Sequence, residues 1–177
     1  ANNQGLVRTN AAYLLFLNAD CVLWPGTLER RRGFMDDTPE AGMAGCVIRD
    51  PDGSEQRASR RRIPDPWIAL VRLLHLHRIW PSLAAAHRLD LIDQPLPDGP
   101  VEVEAISGSL MLVRRAALAT VGLLDEGYFL HCEDLDWFVR FRQQGWGIYL
   151  LPDAEAVHHQ GTCSRTAPLR VEWHKHR

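Results

Sequence analysis

Lysine is almost missing from this chain. Of its twenty basic residues only Lys175 is a lysine, so the positive charge is carried by arginine. No apolar run approaches the roughly 18 residues of a membrane span, which excludes a single-helix anchor of the ordinary kind. The first twenty residues lack a basic start followed by an apolar stretch, so no secretory leader is read there and a cytoplasmic location is expected. Cysteine is sparse: Cys21, Cys46, Cys132 and Cys163, with no Cys-x-x-Cys pair and no zinc-knuckle spacing. Buried free thiols in a reducing compartment are the expectation. Net charge is only −2, which argues against a nucleic-acid partner. There are no internal repeats.

What is present is ordinary globular material. Apolar residues make up 46% and charged residues 24% of 177 positions, enough for one domain with a real core. Tyr13-Leu14-Leu15-Phe16-Leu17 is a short apolar run that predicts a buried, parallel strand, ending at Asn18-Ala19-Asp20. Pro25 suits the first turn of a helix to about Asp37. Residues 42–48 predict a second buried strand, and Asp50-Pro51-Asp52-Gly53 a turn. Residues 57–100 hold most of the prolines and the cluster Arg57, Arg60, Arg61 and Arg62. Their middle, Trp67 to Trp80, is expected to be helical, in an insertion or lid.

Val101 to Ile106 alternates as an edge strand does, and Leu110 to Val113 resumes the strand pattern after Ser107-Gly108-Ser109. A short helix is expected over 114–121, closed by Gly122, with Arg114 and Arg115 opposing its dipole. A second helix runs from about Glu133 to Gln144, with Leu135, Phe138 and Val139 on one stripe and Gly145 as its stop. Ile148 to Leu151 is the last expected strand, followed by a loop carrying His158-His159. Strands alternating with helices imply an α/β fold with a mainly parallel sheet.

Three features can carry chemistry. Asp20 follows a buried strand directly, where ligands bind in open α/β sheets. Ligation of Mg²⁺ or Mn²⁺ together with a phosphate fits it, and so does a turn or cap. Glu133, Asp134 and Asp136 crowd three carboxylates into four residues. Mutual repulsion suits one of them to general-base work, and complementing the helix dipole explains them equally. Of His158 and His159, adjacent residues in an extended segment, only one can face a site.

Taken in order, these stretches resemble the family 2 glycosyltransferases of the GT-A fold, in particular the rhamnosyltransferase-like branch. The likeness rests on Asn2-Asn3-Gln4-Gly5, on the strand ending Asn18-Ala19-Asp20, on residues 108–115, on residues 129–136 including Glu133-Asp134-Leu135-Asp136, and on residues 157–161. The resemblance implies that Asn18-Ala19-Asp20 is the Asp-x-Asp element and that Asp20 holds the metal, completed by His159 ahead of His158. It makes Asp134 the catalytic base. It places Asn3 and Asn18 near the nucleotide sugar, and Gly108, Ser109, Glu133 and Asp136 at the acceptor.

The implied reaction is inverting transfer from a nucleotide-diphosphate sugar to a glycan or polyprenyl-linked acceptor. dTDP-rhamnose is the donor the branch favours. Residues 1–56 would form the donor and metal part, 57–100 an insertion or lid, and 101–177 the acceptor and catalytic part. Against the family pattern the chain is expected to begin after the first nucleotide-binding strands. A peripheral station at the inner face of the cell membrane is expected, with the arginine cluster or the Trp67–Trp80 stretch touching lipid. The alternatives are a non-catalytic relative that binds carbohydrate or a partner protein, and a metal-dependent phosphoesterase. The second of these needs a denser ligand set.

Overall fold

The computed structural model of the chain describes residues 2–63, 75, 89–128 and 132–159. The helix expected over Trp67–Trp80, apart from His75, lies outside the described residues. So do Cys163 and the basic C-terminal residues. The described chain opens with a short helix, α1 (Asn2–Leu6), followed by β1 (Tyr13–Leu17), β2 (Cys21–Leu23), α2 (Thr27–Asp37) and β3 (Ala41–Arg49). Next come the two-residue strands β4 (Arg60–Arg61), β5 (Val101–Glu102) and β6 (Ala105–Ile106), then β7 (Leu110–Arg114). A 3-10 turn at Arg115–Ala117 leads into α3 (Leu118–Val121). The helix α4 (Glu133–Gln143) and the long strand β8 (Gly147–His158) complete it.

The α/β class is as expected, and the sheet is mixed. Its strand order is β1-β7-β3-β8-β2, with β5 also on β8. β3 and β8 pair in parallel; β1 with β7, β3 with β7, β2 with β8 and β5 with β8 are antiparallel. The parallel pair has the chain that includes α4 as its crossover, as parallel neighbours require. β4 and β6 form a separate two-stranded ribbon.

Both faces of the sheet are covered, which is why the central strands read as unbroken apolar runs. On one face Trp137, Phe138 and Phe141 of α4 pack with Leu14, Met43, Met111, Val113, Ile148 and Leu150. On the other, Met35 of α2 packs with Ala44, Cys46, Ile48, Leu110, Leu112 and Leu151. Alternate residues of β7 thus feed opposite cores. Trp137 also donates its indole N–H to the Gly122 carbonyl at 3.0 Å, fixing α4 against the end of α3. The buried stripe of α4 is accordingly centred on Trp137, Phe138 and Phe141, with Leu135 only partly buried beside it.

Several local expectations change in detail. β2 exists because β8 pairs with it, not because its three residues are strong strand formers. β8 runs twelve residues to His158, so His158 is a strand residue and not part of a loop. Its pairing with β3 shifts register between Cys46 and Val47, where the partner jumps from Leu151 to Glu155. The helix expected over 114–121 is shorter: Arg114 ends β7, Arg115 opens the 3-10 turn, and the α-helix covers only Leu118–Val121. The two arginines therefore do not oppose its dipole from the first turn. Arg114 donates to the Ala41 and Thr38 carbonyls, and Arg115 to those of Ala11 and Leu6. Cys21 is half-buried, Cys46 buried and Cys132 exposed, all three as free thiols, so burial is not general among them.

Candidate active site

β1 ends in the bend that carries Asn18-Ala19-Asp20. The Asn18 N–H donates to the Ser109 carbonyl at 2.9 Å, and the Cys21 N–H to the Asn18 carbonyl at 3.0 Å. This ties the bend to the 107–109 loop. Asp20 is thereby presented at the mouth of the sheet, with its Oδ1 3.1 Å from Nε2 of His158. Residue parity along β8 decides which histidine comes here. Because β2 pairs Cys21 with His158, the His158 ring turns to Asp20 and is buried. His159 is exposed, and its backbone N–H donates to the Asp20 carbonyl at 2.9 Å. The structure therefore brings His158, and not the expected His159, to Asp20.

Asp20, Cys21 and His158 each offer one ligand atom, all within 4.8 Å of one another, a group able to hold a metal ion. The Cys21 thiol donates to the Ser109 carbonyl at 3.6 Å. Burial pushes its pKa up.

The second chemical group, Asp134, lines a cleft that His158 also lines. Asp134 is in the first turn of α4. Its Oδ1 accepts the Leu135 N–H at 2.9 Å, and its Oδ2 accepts from the Arg61 guanidinium at 2.7 Å. Gly108 lies under it: a Cβ there would sit 2.7 Å from Asp134 Oδ2. That cleft has a volume of about 350 Å³, in the range of small-molecule sites. Asn18, Gly108, Ser109, Glu133, Asp134 and His158 all line it.

The three carboxylates of the α4 start are sorted by their surroundings. Asp134 meets Arg61, and one oxygen of Glu133 is buried in the cleft wall with no hydrogen-bond partner. Asp136 instead turns along the helix to Arg140, with bonds of 2.9 and 2.7 Å. Arg140 in turn reaches the Val121 and Leu123 carbonyls. Asp136 thus braces α4 and does not line the cleft. Asn3 is likewise engaged elsewhere: its amide bonds the Leu124 carbonyl and N–H, and Glu126. Its neighbour Asn2 lines the cleft instead.

Sequence reasoning missed Gln56, and it left Arg61 as one of four clustered arginines. The cluster is in fact divided. Arg57 and Arg61 line the cleft, whereas Arg60 is buried in an ion pair with Glu55 at 2.9 Å. The Arg-x-x-Arg-Arg spacing was visible, but which arginine turns inward depends on the β4–β6 ribbon.

The mixed α/β sheet flanked by helices is a GT-A fold. The crystal structure of GalNAc-T7 with UDP, GalNAc and Mn2+ superposes with a TM-score of 0.58 at 14% identity, covering 89% of this chain and 29% of that one. The chain belongs to glycosyltransferase-like family 2, whose family profile matches residues 2–171. An N-acetylglucosaminyl-diphospho-decaprenol L-rhamnosyltransferase of Mycobacterium tuberculosis is 32% identical over 151 residues, 84% of this chain and 47% of the relative. The rhamnosyltransferase WbbL of Escherichia coli K12 is 24% identical over 167 residues, 92% of this chain and 58% of WbbL. The chain thus spans about half the length of the curated relatives it matches. Among the described residues, no helix is long and apolar enough to cross a membrane.

Proposed function

We propose that the protein is an inverting glycosyltransferase. In this reading it moves a sugar, rhamnose by analogy with the two relatives, from a nucleotide-diphosphate donor to a hydroxyl of a glycan or polyprenyl-linked acceptor. The observation that carries the reading is one cleft lined by both Asp134 and His158, with Nε2 of His158 3.1 Å from Asp20 Oδ1.

The acceptor hydroxyl lies against Asp134, whose carboxylate takes the proton as the acceptor oxygen bonds to the anomeric carbon. The bond from that carbon to the diphosphate oxygen breaks on the opposite side and its electron pair leaves with the diphosphate, so the configuration inverts. Arg61 and the Leu135 N–H hold both Asp134 oxygens in one orientation, which limits the search for a reactive geometry. Arg57 and Arg61 add positive charge to the cleft in which the diphosphate departs.

Asp20 and His158 are the residues that would hold a divalent cation. Their donor set, one carboxylate oxygen and one imidazole nitrogen, suits Mn²⁺, and Mg²⁺ less closely. When bound there, such an ion supplies positive charge that stabilises the departing diphosphate. Gly108, Ser109 and Glu133 form the wall on which an acceptor would rest, and Asn18 the donor side. A polyprenyl-linked acceptor would bring the protein to the inner membrane surface as a peripheral enzyme, with Arg57 as the exposed basic contact.

The test is transfer by the full-length protein from NDP-sugars to lipid-linked acceptors in the presence of Mn²⁺. Asp134→Asn should lower kcat by about 10²–10⁴-fold with little change in melting temperature. Unchanged transfer by that variant would remove Asp134 from the chemistry.

A further inference from the structure

We infer that Gln56 is a positioning residue that fixes the tautomer of His158, so that the Nε2 lone pair of His158 points at Asp20. The inference deepens the proposed metal site and rests on it. Gln56 follows the 50–53 turn and is buried. Its backbone is pinned: its N–H donates to the Ile48 carbonyl at 2.8 Å, and its carbonyl accepts the Ser59 N–H at 3.1 Å.

Its side-chain amide has two polar ends with different neighbours. The nitrogen end faces Asp50 Oδ1 at 2.5 Å and the His158 carbonyl at 3.3 Å, both of which can only accept. The NH₂ group must therefore lie on that side. The oxygen end is left facing Nδ1 of His158 at 2.7 Å, and an amide oxygen cannot donate. Nδ1 must carry a hydrogen.

In the neutral ring, the other nitrogen then has no hydrogen. That nitrogen stands 3.1 Å from Asp20 Oδ1, so a lone pair opposes a carboxylate. Two acceptors at that distance repel unless a cation lies with them. A proton on Nε2 is one such cation, and a divalent metal bound by both atoms is another. Asp50 and Gln56 thus form a relay that commits the imidazole to metal ligation before any metal arrives. Hydrogen bonding from outside a metal's ligand set commonly serves this purpose.

The experiment is done on full-length protein carrying ¹⁵N-labelled histidine, at a pH where the His158 ring is neutral. Long-range ¹H–¹⁵N correlation should show His158 protonated at Nδ1 in the metal-free wild type; a ring protonated at Nε2 overturns the inference. Mn²⁺ affinity is then read by electron paramagnetic resonance. Gln56→Leu should mix the two tautomers and weaken Mn²⁺ binding by about 10–100-fold. The double variant Gln56→Glu with Asp50→Asn restores an acceptor at Nδ1 and exchanges the acidic partner, so it should regain most of the affinity.

If wild type and Gln56→Leu bind Mn²⁺ equally, Gln56 has no such role, and the metal site itself stands. If wild type binds no Mn²⁺, the metal reading fails and this inference falls with it. Should Gln56→Leu not fold, the wild-type tautomer and the double variant still decide.

Discussion

Gly108→Ala is the sharpest perturbation the site offers, because it adds one methyl group and changes no charge. The new Cβ would lie 2.7 Å from Asp134 Oδ2 and 3.3 Å from both Cβ and Cγ of Asp134. The first contact is about 0.7 Å short of an ordinary 3.4 Å approach. Asp134 has little room to yield. Its Oδ2 is bound to Arg61 and its Oδ1 to the Leu135 N–H, while its backbone begins a helix anchored by Trp137.

Two effects follow. The overpacking itself should cost about 1–3 kcal/mol of stability. The carboxylate must also swing by a sizeable part of an ångström, and a misplacement of about 1 Å at a reacting group costs about 10²-fold in rate. That corresponds to about 2.7 kcal/mol of activation free energy. The assay is steady-state sugar transfer by the full-length protein, with thermal unfolding measured alongside. The expected signature is a large fall in kcat with a folded protein and a nearly unchanged donor KM. If kcat is retained, Asp134 does not need the position seen here, and the reasoning about the base is refuted.

Other predictions concern the frame around the site. Glu55→Ala strips the partner from the buried Arg60 and should destabilise the fold by about 3–5 kcal/mol, read by denaturant melts. Burial pushes the Cys46 thiol from 9.0 up to about 12, so the exposed Cys132 should react with a thiol reagent long before Cys46 does. Below about pH 9 that thiol is neutral in both states and has no effect. Between about 9 and 12 only the unfolded chain ionises, so stability should fall as pH rises, by at most about 1.4 kcal/mol per unit. Cys46→Ala should remove that part of the slope; an identical slope in the variant would contradict the burial argument.

Features written in local chemistry were legible from the sequence. The strand around Gly45, the turn with Gly53 at positive φ, and the acidic start of the Glu133 helix with its Gly145 stop all stand as expected. The Tyr13–Leu17 strand forms, but at the sheet edge and antiparallel to β7, so Leu15 and Leu17 are exposed and not buried. Features made by pairing across the fold were not. β2 is too short to announce itself and forms because β8 lies beside it. Arg61 and Asp134 are 73 positions apart, and no spacing rule joins them. Choosing between His158 and His159 needs the parity of β8 after its irregularity, and residues 152–154 hide that count. Gln56 carries no signal in the sequence, because its contacts with Asp50 and with His158, 102 positions away, arise only in the fold.

The irregularity in β8 sets where the facing of its last residues is counted from. Residues 152–154 have no partner on β3, while residues 155–157 pair with Val47, Ile48 and Arg49. That gap is itself tied down, since Asp153 pairs with Arg30 and Ala154 is buried in the core with Met35. A residue gained or lost after the gap changes the facing of those beyond it, because each step along a strand reverses the face a side chain presents. Loss of one residue between 155 and 157 would deliver His159 to Asp20 in place of His158. The seat of His158 beside Asp20 is therefore a matter of counting from Glu155, three residues upstream.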